Sequence, residues 1–272
     1  MVLGRRISDR NMLNKSNKLI EVVLIFCFAL TTFGINAGQL VNKQKKYEES
    51  LKTKLLIRMD LETMFSDEKL RALAYAAGKG RISSINRLLA SGVDVNATGT
   101  RNATALFWAM RSEKGFRHLL KAGANPNVKF GDGGTVMHWL ARREDCSLLE
   151  TALAYGGNPN LKASLFNAPV AFETINPGKN KGVPECLTVL LNSGADIDLT
   201  DDKGYTMILW AADLARFDIA LYLLDKGASL TFKNNQNKDL KSIVASFDDA
   251  FKPGSVTEKN WHSFKQKLAA RT

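Results

Sequence analysis

LLASGVDVN at residues 88–96, LLKAGANPN at 119–127, ALAYGGNPN at 152–160, LLNSGADID at 190–198 and LLDKGASLT at 223–231 are five versions of one phrase. Their glycines, Gly92, Gly123, Gly156, Gly194 and Gly227, fall 31, 33, 38 and 33 residues apart. A period near 33 residues marks a stacked repeat architecture, in which no unit buries its apolar face alone. The local chemistry agrees. Apolar residues close a helix, and the glycine just after them can take the left-handed conformation that ends it. The Asp, Asn and Pro residues that follow favour turns.

A second shared pattern opens each unit: RALAYAA (71–77), TALFWAM (104–110), TVMHWLA (135–141), APVAFET (168–174) and TMILWAA (206–212). With the closing phrase, this resembles the ankyrin repeat, whose consensus opens T-P-L-H-x-A-A and closes L-L-x-x-G-A. The resemblance covers roughly residues 66–234, although the Pro of the opening motif survives only as Pro169 and its His only as His138. It implies an all-α solenoid of helix–turn–helix units joined by hairpin-like loops. Ser66, Asp67 and Glu68 suit the first helix start. Residues 235–272 are expected to form a degenerate sixth, capping unit. Leu240, Ile243, Val244, Phe247 and Phe251 make one helical stripe there, and Ser255 with Glu258 makes a capping box ahead of Trp261, Phe264 and Leu268.

Outside the array the sequence changes character. Residues 19–38 read LIEVVLIFCFALTTFGINAG, nearly all apolar from Val22 to Phe33, behind Arg5, Arg6, Arg10, Lys15 and Lys18 in the tail 1–18. A basic flank and a short apolar run suit a single-pass membrane anchor, with a cleaved export signal as the alternative. The stalk, residues 39–65, places Tyr47, Leu51, Leu55, Leu56 and Met59 at helical spacing among charges. The expected location is the bacterial inner membrane with the array in the periplasm. The net charge of +11 divides as +6 over residues 1–60, +1 over 61–230 and +4 over 231–272. The array is therefore balanced, without the basic stripe that nucleic-acid binding needs. Three cysteines, Cys27, Cys146 and Cys186, are too few for a disulfide scaffold, and the latter two are expected to be buried.

Tyr75, Trp108, Trp139, Phe172 and Trp210 share one repeat position and are read as core. By the resemblance, binding positions fall on the hairpin tips and on the open face of each first helix. Mapped here they are Thr100, Arg101, Ala103 and Arg111, then Gly131, Asp132, Gly134, Arg142 and Arg143, then Asp202, Lys203, Tyr205 and Asp213. Arg101, Arg111, Asp132, Arg142, Arg143, Asp202, Tyr205 and Asp213 are the candidate partner contacts, running from basic to acidic along the array. The interval in the fourth unit is five residues longer than the usual 21, and the excess is assigned to a loop, INPGKNKGVP (175–184). His118, His138 and His262 are isolated, and no G-x-S-x-G, H-E-x-x-H or Rossmann motif occurs. No enzyme activity, cofactor or metal is expected.

The combination of export segment and array resembles bacterial ankyrin proteins that face the periplasm. Some of these are immunity factors against secreted antibacterial effectors, including phospholipases delivered by type VI secretion. The resemblance implies a protein partner, such as a toxic effector. A periplasmic scaffold or stress-protection protein, and a cytoplasm-facing adaptor, are the other readings that a fold alone leaves open.

Overall fold

The computed structural model describes residues 59–131, 133–163, 167–175 and 182–271, and the structural statements below concern these. The tail, the apolar segment 19–38 and the stalk up to residue 58 lie outside them. Among the described residues, no helix is long and apolar enough to cross a membrane.

A short α1 (Leu61–Met64) leads into α2 (Glu68–Gly78), which pairs with α3 (Ile82–Ala90). Asp67 caps α2, its carboxylate accepting from the Leu70 N–H at 2.7 Å, within the start expected from the sequence. The pairs that follow are α4 (Ala105–Ala109) with α5 (Glu113–Lys121), and α6 (Val136–Ala141) with α7 (Ser147–Ala154). The fourth pair joins a 3-10 turn (Val170–Thr174) to α8 (Glu185–Asn192), and the fifth joins α9 (Met207–Asp213) to α10 (Phe217–Asp225). First helices pack on first helices, α2 on α4, α6 on the 3-10 turn and α9 on that same turn. Their shared interior includes Leu73, Leu106, Phe107, Met137, Val170 and Ile208, all at most 1% exposed. Between units the chain forms tight tips, with Thr98 bridging Thr104 and β1 (Lys162–Ala163) pairing antiparallel with β2 (Ala168–Pro169). That strand pair is the one addition to the all-α expectation among the described residues.

The repeated glycines end the second helices, as the phrase predicted. At Gly123, φ is +90°, its N–H reaches the Leu120 carbonyl and the Ala124 N–H reaches that of Leu119, the paired bonds of a Schellman cap. A Cβ at Gly123 would meet nothing within 4 Å, so backbone conformation rather than space selects glycine there. Gly115 has the opposite reason. A Cβ at Gly115 would lie 1.8 Å from the Ala77 carbonyl oxygen, so glycine lets α5 close on α2.

The residue four places after each of the first four capping glycines does more than turn the chain. Asn96 donates from Nδ2 to the Gly123 carbonyl at 3.1 Å, while its Oδ1 accepts from the Asn125 N–H at 2.7 Å. Asn127 repeats this with Gly156 and Asn158 at 2.8 Å each, and Asn160 with Gly194 and Asp196 at 3.0 and 2.7 Å. The ladder thus joins each unit to the backbone of the next. In its last rung a carboxylate replaces the amide, and Asp198 accepts from the Ser229 N–H at 2.9 Å with no proton to offer Gly227.

The carboxy-terminal residues form a sixth pair, α11 (Leu240–Ala245) and α12 (Val256–Arg271). Phe247, Phe251 and Phe264 surround Phe217 at ring distances of 5.5, 5.9 and 5.9 Å, closing the apolar end of the stack. Trp261 donates its indole N–H to the Val244 carbonyl at 3.1 Å. The excess positive charge here is partly engaged: Lys267 and Arg271 reach Asp225, and Lys265 reaches Asp248.

The fourth unit departs most from its neighbours. Its first helix is a 3-10 turn, where those of the units on either side, α6 and α9, are α-helical. Two features compensate. Cys146 and Cys186 are joined as a disulfide between the starts of α7 and α8. Arg216 holds Asp218 through both carboxylate oxygens at 2.9 Å and donates to the Gly182 carbonyl at 2.7 Å, while the Gly182 N–H returns to Asp218 at 3.0 Å. The fork therefore ties the far end of the lengthened loop to the fifth unit.

Candidate interaction face

The aromatic column is core only in part: Phe172 belongs to it, and the three tryptophans pack against its edge. Tyr75 is 41% exposed and Trp108, Trp139 and Trp210 are half-buried; only Phe172 is buried as expected. The physical reason lies in helical register. In TALFWAM, Ala105, Leu106, Phe107 and Ala109 turn inward, so Trp108 lies at the edge of the core, edge-on to Phe65 and on the side of the residue three places on, Arg111. The consensus T-P-L-H-x-A-A leaves this fifth position unspecified, and that gap was the signal available in the sequence.

The same offset recurs, so aromatic and charged residues are paired unit by unit. The Arg111 guanidinium lies 3.8 Å from the Trp108 ring centre, and its Nη1 donates to the Trp108 carbonyl at 3.2 Å. Burial pushes the Arg111 pKa down from its ordinary value, although a guanidinium stays charged. Arg142 lies 5.1 Å from the Trp139 ring centre and donates from Nε to Glu173 at 2.5 Å. Arg143 reaches back to the Met110 carbonyl at 3.5 Å. The expected arginine cluster is thus brought together at the ends of α4 and α6. Each cation lies over an aromatic plane or against a helix-end carbonyl, an arrangement that leaves it little rotamer freedom to lose on binding.

The opposite end carries Trp210 with Asp213. Tyr205, expected as an exposed anchor, is only 8% exposed and stands edge-on to Trp210 at 5.5 Å. Its hydroxyl donates to Asp213 at 3.2 Å, and burial, with the Asp213 charge behind it, raises its pKa to about 12. Tyr205 therefore supports Asp213 from beneath rather than meeting a partner itself. Asp202 is exposed at its tip, accepting from Asn167 at 3.2 Å. Arg101 is half-buried with φ of +56°, and its carbonyl accepts from the Gly131 N–H at 2.9 Å, so its tip is braced by the next one. Ala103 and Gly134 are buried, contrary to their mapping as contact positions. Asp132 lies outside the described residues.

The histidines serve other ends. His138 is buried with Nδ1 at 2.9 Å from the Thr135 hydroxyl, His118 meets Asn86 across the second helices, and His262 is exposed beside Glu258. Among the described residues no three His, Cys, Asp or Glu side chains are grouped to hold a metal.

No protein-family model matches the chain. Palmitoyltransferase AKR1 of Lachancea kluyveri is 25% identical over 190 residues, 68% of this chain and 26% of that protein. Protein PhlB of Serratia liquefaciens is 31% identical over 147 residues, covering 53% of this chain and 63% of PhlB. The chain thus spans about a quarter of the first of these relatives and under two thirds of the second. Among solved structures, an ankyrin repeat domain from Acinetobacter baumannii superposes with a TM-score of 0.59 at 18% identity, over 73% of this chain and 96% of its own. A chain in the complex of a predatory endopeptidase from Bdellovibrio bacteriovorus with an immunity protein gives 0.56 at 20% identity, over 71% and 97%.

Proposed function

Because the chain is an ankyrin repeat protein, built as a protein-binding module, we propose that it works as an immunity protein, seizing a secreted antibacterial enzyme in the periplasm and masking its active site. The observation that carries this reading is the pairing of partly buried Trp108 and Trp139 with Arg111 and Arg142 on one face of adjacent units. Tryptophan and arginine dominate the energetics of protein interfaces, and here both are presented in ordered positions. The chain itself contributes binding rather than catalysis. The apolar segment 19–38 is its membrane anchor, and the Cys146–Cys186 bridge suits an oxidising compartment. A phospholipase is one candidate for the partner.

The test is photo-crosslinking in cells of the source organism, with a photoreactive residue at position 108, 139 or 117. Arg117 lies on α5, among the second helices, and serves as the control. A partner captured from 108 and 139 but not from 117, toxic when sent to the periplasm alone and harmless when co-expressed with this chain, supports the reading. Capture only from 117, or a captured partner whose toxicity persists, overturns it. An alkaline phosphatase fusion after residue 60 is expected to be active, and an inactive fusion of normal abundance would put the array on the cytoplasmic side.

A further inference from the structure

Cys146 stands at the start of α7 and Cys186 in the first turn of α8, 40 residues apart in sequence, both buried, with their Cα atoms 5.3 Å apart. The bridge lies against the turn that carries the arginines. The Cys186 Sγ is 3.2 Å from the Arg143 carbonyl oxygen, and the Cys146 Sγ is 3.7 Å from that of Glu144. From the other side of the same turn, Arg142 crosses to Glu173 in the fourth unit. The junction of the third and fourth units is therefore clasped twice, covalently behind the turn and by an ion pair on the open face. No other unit junction among the described residues has a covalent link. The fourth unit is also the one whose first helix is a 3-10 turn.

We propose that Cys146 and Cys186 are positioning residues for the interaction face: closing the bridge fixes the Arg142–Arg143 turn against Glu173, so the face is complete only in the oxidised chain. This rests on the reading of that face as the binding surface. Closure removes two protons and two electrons from the thiols. A disulfide-form oxidant, such as a dithiol–disulfide oxidoreductase or oxidised glutathione, accepts them through a mixed disulfide and leaves as free thiols. An encounter with an effector inside a reducing compartment would then meet an unfinished face, which confines tight binding to the place where the bridge can form.

The test uses the full-length chain in detergent, oxidised with glutathione disulfide, and needs no partner. Alkylation after denaturation is expected to leave Cys146 and Cys186 unmodified; if both are alkylated, the bridge does not form and the proposal fails. Hydrogen exchange is then compared among the oxidised chain, the same chain reduced with dithiothreitol, and an apolar pair, Cys146→Ala with Cys186→Val. Exchange at residues 140–146 and 170–175 is expected to rise at least tenfold more than at residues 68–96, on reduction and in the apolar pair. A uniform rise across all units would mark a merely structural bond, and no rise would mark a redundant one; either overturns positioning. Because these readouts do not involve a partner, the clasp can fail while the crosslinking test of the face still succeeds, and the reverse.

Discussion

The second and fourth units are built from the same motif and held together differently. In the second, residues of the repeat motif itself suffice: Thr104 caps α4, Gly115 lets α5 approach α2, and Asn96 and Asn127 bond the neighbours on either side. The fourth keeps the asparagine rung, through Asn160, but its first helix tightens into a 3-10 turn and its connecting loop lengthens. There two further joints cross between units, the Cys146–Cys186 disulfide on one side and, on the other, the Arg216–Asp218 fork through its bonds to the Gly182 backbone. Where the repeat loses its local regularity, stronger bonds between units take over. The tightest of these borders the arginines of the open face.

That contrast can be broken at graded cost. The largest effect is expected from opening the bridge. Cross-linking across 40 residues stabilises by about 4 kcal/mol on loop-entropy grounds, so Cys146→Ser with Cys186→Ser should lower unfolding stability by about 2–4 kcal/mol. Urea denaturation with and without dithiothreitol checks this, and the reductant should not affect the double variant.

Next comes the fork. Burial alone would push Asp218 up, but the hydrogen bonds and charge of Arg216, with the Ile219 and Gly182 N–H donors, hold it below its ordinary 3.8. Its contribution is therefore complete above that value and is lost as the pH falls through the lower folded value. Asp218→Asn should lower stability near neutrality by about 2–3 kcal/mol and flatten the dependence below pH ~4, measured by thermal melts across pH.

The regular units should respond less. Asn127→Ala removes both bonds of one rung at an exposed site, for about 1–2 kcal/mol by denaturant titration. The smallest effect has the opposite sign. Asp198→Asn supplies the missing donor toward the Gly227 carbonyl and should stabilise by about 0.5–1 kcal/mol; no gain would show that the last rung does not need one.

The regular units were legible because their signals are local. A glycine that ends a helix and a polar turn after it can be read within nine letters, and the capping pair announced itself through its stripe and its Ser255–Glu258 spacing. The joints were not legible. Asn127 looks like a turn former until its partners, 29 and 31 residues away, are seen. Cys146 and Cys186 sit in unrelated motifs, and three cysteines do not say which two meet. The arginines of the face were found because they recur at a fixed motif offset. Their tryptophans were assigned wholly to the core because the ankyrin pattern usually buries a Leu there, whereas each packs against the core and stays partly exposed. Tyr205 was misassigned outward for the converse reason, since only the fold brings Trp210 and Asp213 against it.

The face itself is the central claim, and affinity for the captured partner tests it most directly. With the oxidised chain, Trp139→Ala and Arg142→Glu are each expected to weaken binding by about 30-fold or more, the equivalent of about 2 kcal/mol, while Arg117→Glu on α5 changes it less than about threefold. Binding that survives both substitutions on the face but falls with Arg117→Glu would contradict the account.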